Sequence, residues 1–288
     1  MELIGLGPAH TPGKTYFKNI FELEAGHYAI FSNFKLEIKK YWDLVTKEFE
    51  DSYEETISQI HDLVVNSTKI ELCDNICSML SGGLDSSILA KIAKDNIPNL
   101  TTFSIDYVGN DTNFVSNDYQ LTKDSDYVKI MKEYLKTNHK TITVENSYLY
   151  ELLQKSMIAR DVPGMADIDT SMYAFCEQIS RNGFSTCLSG ECSDEIFGGY
   201  PWYYKEHLIS HDGFPWALSE DLRANIINKN IISKDKLNEY VYNARINTLK
   251  NVTHIDYNDD YEKRYRNTNY LTIKWFMNTL IERTERIS

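Results

Sequence analysis

The chain has 288 residues, 42% of them hydrophobic and 25% charged, with 13 Gly and 6 Pro. That is an ordinary globular composition with room for one large domain or two modest ones, and it excludes collagen-like and disordered classes. A formal net charge of −12 argues against nucleic acid as the main partner, because phosphate binding calls for a basic face. A single nucleotide stays open, since a few backbone N–H groups and a metal can hold one phosphate chain.

In chain order, residues 17–23, 26–31 and 36–42 alternate in short segments between Gly, Asn and Lys, the pattern of small antiparallel strands. Residues 51–67 place Tyr53, Ile57, Ile60 and Val64 at helical spacing. A different rhythm begins at Ile70. Apolar runs at 75–80, 100–105, 140–144 and 185–188 read as strands, and helices are expected over 85–95, 125–136, 147–160 and 169–182. Such alternation predicts right-handed crossovers and an α/β fold, a parallel sheet flanked by helices on both faces. The last hundred residues carry helical periodicity alone and are expected to form a C-terminal helical lobe.

The five cysteines (Cys73, Cys77, Cys176, Cys187, Cys192) are odd in number and lack a CxxC pair. They are expected to be reduced core thiols, which suits a cytoplasmic protein. Cys73 and Cys77 have no second ligand pair and so do not read as a zinc site. No run approaches the roughly 18–20 apolar residues of a membrane span, and residues 1–13 lack the apolar core of a secretory signal.

The segment Ser81-Gly82-Gly83-Leu84-Asp85-Ser86-Ser87 lies between an expected strand and an expected helix. Two glycines let the backbone turn sharply and approach a ligand. The first helical turn then presents unpaired N–H groups at the positive end of its dipole, and three hydroxyls add donors. This is an anion cradle of phosphate size. Asp85 would repel phosphate unless a cation lay between them, and Mg²⁺ binds through one or two carboxylates plus phosphate oxygens. The plainer reading, a helix start with Asp in its first turn, leaves the glycines and serines without a reason. A second candidate, Gly13-Lys14-Thr15, resembles the end of a Walker A loop. It fails because Pro8 stands where the first glycine belongs and no strand precedes it.

The second cluster, Ser189-Gly190-Glu191-Cys192-Ser193-Asp194-Glu195 with Gly198-Gly199-Tyr200, follows the fourth apolar run. It therefore falls at the carboxyl end of a strand, where open α/β sheets bind ligands. A hydrated acidic loop is the bland alternative; a second Mg²⁺ ligand facing Asp85 is the functional one.

Residues 81–87 resemble the pyrophosphate loop of the ATP-pyrophosphatase superfamily, and residues 189–200 resemble the second signature of its asparagine synthetase branch. Residues 7–13, with Gly26-His27-Tyr28 and Tyr41-Trp42, resemble strands that join a glutaminase domain to the synthetase domain. The resemblance implies ATP-dependent adenylation of the aspartate side chain with release of pyrophosphate, then amidation by ammonia from glutamine. It implies that Asp85 and Asp194 hold Mg²⁺ and pyrophosphate. Ser81, Gly83, Ser86 and Ser87 would contact the leaving phosphates, Gly82 and Ser189 would belong to the same nucleotide site, and Met79, Ile105 and Gly190 would line the adenosine pocket. Glu191 would stand near the acyl-adenylate and orient or deprotonate the attacking amine.

On the same resemblance, residues 1–50 are a remnant of glutaminase strands and linker, and 51–288 an ATP-pyrophosphatase domain incomplete at its C-terminus. The absent glutaminase part would then come from another chain, and a homodimer stays open. The family's later lysine would lie beyond residues 282–288, which resemble the start of a longer motif. Cys192 stands where many members have glycine, and residues 160–167 match the substrate-facing loop only loosely. Related amide or β-lactam synthetases, and an impaired nucleotide-binding fragment, are the alternatives.

Overall fold

The computed structural model of the chain describes every residue except 117–121, 163, 219–221, 223–224, 229 and 254–258. Pro163 of the 160–167 loop, and parts of the expected helical lobe, therefore lie outside the described residues. The chain divides into two compact units, Met1–Glu48 with Asp194–Glu282, and Phe49–Ser193 with Arg283–Ser288.

In the first unit, β1 (His27–Ser32) and β2 (Lys35–Lys40) form an antiparallel hairpin, paired from His27↔Lys40 to Ser32↔Lys35. Asn33 and Phe34 between them both have positive φ, 49° and 58°, the two-residue turn whose twist matches that of the strands. Residues 17–23, expected as a strand, form a bend, a turn and irregular chain. The alternation there is broken at Asn19, whose φ of 65° reverses the backbone. Residues 7–13 likewise form turns rather than a joining strand, while Tyr41 and Trp42 close the hairpin by donating their N–H groups to the Gly26 carbonyl.

The core of this unit is helical, as expected. Leu6, Ala9, Phe214, Ala217, Val241, Leu271 and Trp275 pack together, drawn from the chain start, a loop, the helices Lys234–Leu249 and Asp260–Leu271, and the π-helical turn Thr272–Met277. The indole N–H of Trp216 donates to the Leu6 carbonyl at 3.2 Å, and the Tyr240 hydroxyl to Glu2 at 2.9 Å, so the first residues are anchored in the helical lobe.

In the second unit, β3 (Ile76–Met79), β4 (Thr101–Tyr107), β5 (Asn138–Val144) and β6 (Thr186–Leu188) form a parallel sheet in the order β5-β4-β3-β6. All four strands and the intervening helices fall within a few residues of the sequence expectation. The helix Tyr53–Ile70 starts at Ser52, whose side chain and that of Glu55 cap each other's backbone N–H groups. Ile76, Leu100 and Leu188 pack with Ala93 of the helix Leu84–Asn96. On the opposite face Cys77 and Phe103 pack with Phe175 and Ile179 of the helix Ala166–Arg181. Alternation along β3 thus gives each helical layer its own apolar surface.

The thiols partly meet expectation. None of the five cysteines is in a disulfide and Cys77 is buried, but Cys73 is exposed, because it lies in the polar segment before β3 rather than in the strand. Burial raises the Cys176 thiol to about 11, so it is inert as a nucleophile near neutrality.

Candidate active site

The order β5-β4-β3-β6 makes the boundary between β3 and β6 a topological switch. From β3 the chain leaves through Leu84–Asn96 on one face, and it reaches β6 from Ala166–Arg181 on the other. Ligands of open α/β sheets sit outside the carboxyl ends of strands at such a point. Register is direct, with Ile76↔Thr186, Cys77↔Cys187 and Ser78↔Leu188 paired, so residues 81–87 and 189–193 emerge side by side.

The first loop holds itself in shape. Ser86 is buried, and its hydroxyl accepts from the Ser81 N–H at 3.2 Å, lies 2.9 Å from the Ser81 hydroxyl and donates to the Gly83 carbonyl at 3.2 Å. Gly82 has φ +83°, and a Cβ there would come within 2.6 Å of the Tyr127 Cβ and 2.8 Å of the Val128 nitrogen. Glycine is required on both counts.

Gly83 starts the helix Leu84–Asn96 with no side-chain cap. Its first-turn donors are thus left to a ligand or water. The Ser87 hydroxyl is buried without a partner, and Asp85 takes part in none of the described ion pairs. Burial raises the Asp85 carboxyl above its ordinary value, against one backbone hydrogen bond that lowers it.

The second loop meets the first at Gly190. A Cβ there would lie 3.0 Å from the Asp85 Cβ and 3.0 Å from the Ser86 nitrogen. Met79 and Ile105 lie on the sheet face of Phe103, half-buried against the same cluster. Ser81, Gly82, Gly83, Asp85, Ser86, Ser87, Ser189, Gly190 and Glu191 thus cluster at two adjoining strand ends. Asp194 begins the other compact unit, where its carbonyl accepts from the Gly198 and Gly199 N–H groups at 3.0 and 3.1 Å. Glu195 is fully buried and accepts from the Tyr200 hydroxyl at 2.7 Å, which makes it a structural member of the acidic run.

Glu191 brings in residues that the sequence pattern did not single out. Its two carboxylate oxygens are taken by the Arg283 guanidinium and the Thr284 hydroxyl. Nearby, Arg160 and Asp169 form an ion pair at 2.9 Å with both side chains at most 5% exposed, and the Met165 N–H donates to the same Asp169 oxygen at 3.1 Å. Burial lowers the Arg283 guanidinium, Asp169 opposes that shift, and Arg160 adds to it. Arg286 reaches Asp161 at 3.0 Å. The sequence signals for this cluster were the resemblance of residues 282–288 to the start of a longer motif and the loose match of residues 160–167; neither pointed to Glu191.

Matches to known proteins identify the family. Residues 59–288 match the family model described as asparagine synthase. The chain belongs to the asparagine synthase family. A Bacillus subtilis (strain 168) relative named asparagine synthetase (glutamine-hydrolyzing) 3 is 36% identical over 294 residues, covering 100% of this chain and 47% of the relative. A Methanocaldococcus jannaschii protein, provisionally named asparagine synthetase (glutamine-hydrolyzing) 2, is 30% identical over 190 residues, 64% of this chain and 35% of its own. This asparagine synthase chain therefore spans less than half the length of either relative. Among solved structures, an NMN synthetase from Francisella tularensis aligns over 82% of this chain and 97% of its own. Its TM-score of 0.37 and 12% identity are too low to argue from. Among the described residues no helix is long and apolar enough to cross a membrane.

Proposed function

We propose that residues 51–288 act as the ATP-using part of an asparagine synthetase. A side-chain carboxylate oxygen of aspartate attacks the α-phosphorus of ATP, and the bond to pyrophosphate breaks. The resulting β-aspartyl-AMP is attacked by ammonia, which loses a proton as AMP leaves. The ammonia would derive from glutamine through a glutaminase domain, of which residues 1–50 would carry strands and linker. The observation that carries this reading is the close approach of Gly190 to Asp85 and Ser86, which joins an uncapped, glycine-rich helix start to the loop that bears Glu191.

The Ser81–Ser87 loop would hold the phosphates through its free N–H groups and the Ser87 hydroxyl. Met79 and Ile105 offer an apolar floor for the adenine, and Glu191 would orient the incoming amine. The donors fit Mg²⁺. Asp85 is a carboxylate without a cation partner among the described ion pairs, and no group of three His, Cys, Asp or Glu among the described residues forms a complete metal cage. Mg²⁺ suits such a site because it takes one or two carboxylates and fills its octahedron with phosphate and water oxygens. Asp85 would be a protein ligand to it. When bound, the ion would neutralise charge developing on the α-phosphate and the pyrophosphate.

ATP with Mg²⁺ is expected to raise the thermal midpoint of the chain, since a ligand that binds only the folded state stabilises it. Asp85→Ala should keep the fold and lose that shift. A full shift in the variant would place the phosphates elsewhere. Pyrophosphate release that depends on aspartate would support the acceptor; release that depends instead on another carboxylic acid would redirect the reading to a related amide ligase.

A further inference from the structure

We infer that Arg283, helped by Thr284, is a positioning residue that fixes the carboxylate of Glu191 for the amine-transfer step. The inference rests on the ligase reading, in which Glu191 faces the acyl-adenylate. Glu191 sits in a short loop after β6 in which the Ser189 hydroxyl accepts from its backbone N–H at 3.1 Å. Its described side-chain partners come from the far end of the chain instead. Arg283 takes one carboxylate oxygen and Thr284 takes the other. Two donors on two oxygens fix the rotation and the plane of the group, which a single contact would leave free.

The surroundings explain why the clamp stays in place. Arg283 is 4% exposed, so it brings a buried cation next to the buried cation of Arg160. Asp169 answers both: it pairs directly with Arg160 and acts through space on Arg283. Two cations and two anions balance at the base of the loop, and Arg286 fastens the same helical segment to Asp161. A buried pair of this kind adds little net stability, because desolvation offsets the attraction. What it does supply is a defined orientation. Glu191 then presents a fixed anionic edge to the N–H bonds of an incoming amine. Displacement of such a group by about 1 Å typically costs on the order of 10²-fold in rate.

The test compares Arg283→Gln, Arg283→Lys, Glu191→Gln and the Glu191→Gln/Arg283→Gln double variant of the 288-residue chain. Amide formation from aspartate, ammonia and ATP is followed as kcat and KM, beside the ATP-induced thermal shift. If Arg283 acts through Glu191, Arg283→Gln and Glu191→Gln should each lose roughly 10²-fold in kcat. The double variant should be no worse, Arg283→Lys should recover part of the loss, and every variant should keep the ATP shift. Multiplying losses in the double variant, or a loss that appears only in the ATP shift, would overturn the inference.

A structural arm does not depend on turnover. In the crystal structure of Arg283→Gln the Glu191 carboxylate should leave Thr284, and finding it in place would overturn the positioning role. A wild-type chain that forms no amide, but whose Arg283→Gln structure shows the displaced carboxylate, would count against the ligase reading and in favour of the positioning.

Discussion

The loops after β3 and β6 lie side by side, yet they are held in opposite ways. Residues 81–87 are braced from within: the Ser86 hydroxyl ties Ser81 and Gly83 across five residues. The 189–193 loop has backbone bonds of its own, from Glu191 to the Ser189 hydroxyl and from Ser193 to the Gly190 carbonyl, but its Glu191 carboxylate is braced from outside, by a helix whose Thr284 lies 93 residues away. A locally braced loop keeps its shape as long as its own hydrogen bonds form. One braced from a distance depends on the whole unit being folded. The first arrangement suits a site for phosphates, which are alike in every nucleotide, and the second suits a site that must discriminate an acceptor.

The sharpest way to break this comparison is to remove the support beneath the second loop. Asp169→Ala leaves Arg160 buried without its partner and exposes Arg283 to an uncompensated neighbour. Losing one member of a buried pair costs about 3–5 kcal/mol, and denaturant unfolding of the chain should show a loss of that size. At a temperature where the variant is still folded, the ATP-induced shift should survive. A coupled loss of the ATP response would mean that the two loops are one mechanical unit.

Gly82→Ala strikes the first loop instead. A side chain at φ +83° that meets Tyr127 and Val128 combines a left-handed backbone with overpacking, for a cost of about 2–4 kcal/mol. Here the ATP response should fall together with stability, because the loop that is deformed is the proposed cradle. Amide hydrogen exchange around 81–87 would report the damage directly.

These two variants also mark what the sequence could disclose. The four strands, their helices and the turn at Gly82 were legible because each is written in a few consecutive residues, with alternation, helical spacing and a Gly-Gly pair. The expected strand over 17–23 failed because apolar alternation says nothing of a pairing partner, and Asn19 turns the chain away. Residues 7–13 had the resemblance of a joining strand but became turns beside a helical core, with Leu6 and Ala9 buried in it. Residues 282–288 resemble the start of a longer motif, but the contact of Arg283 and Thr284 with Glu191 went unread for a simpler reason. An ion pair between residues so distant leaves no periodicity and no spacing, and at the chain's end Arg283 looks like any solvated arginine.

Asp85 offers a smaller effect with a defined pH signature. Its folded value is raised, chiefly by burial, so its protonated form favours the folded state. That stabilising contribution is complete below the unfolded value and is lost as pH rises through the folded one. At neutral pH the ionised group is therefore a burden. Asp85→Asn should melt higher than wild type near pH 7, the gain should shrink as the pH falls through the carboxylate range, and the ATP/Mg²⁺ shift should vanish. Such a gain at the expense of function is what an active-site charge predicts. An equal or lower midpoint at neutral pH would mean that Asp85 already has a stabilising partner.

The smallest expected effect lies at Cys192 in the second loop. Cys192 has φ 74°, the left-handed region that favours glycine, where a resemblance to the family led us to expect glycine in many members. Its small side chain fits, but the strain lies in the backbone rather than in the packing. Relief of a left-handed L-residue is worth roughly 1–2 kcal/mol, while glycine's extra freedom in the unfolded chain takes back roughly 0.5–1 kcal/mol. Cys192→Gly should therefore raise stability by about 0.5–1 kcal/mol. Cys192→Ala keeps the strained backbone and should not share that gain, and Cys192→Val should be worse than glycine because β-branching crowds this conformation. Denaturant midpoints of the three variants decide the matter. If glycine destabilises and alanine does too, the contacts of the thiol outweigh the strain, and the loop after β6 is braced from within after all.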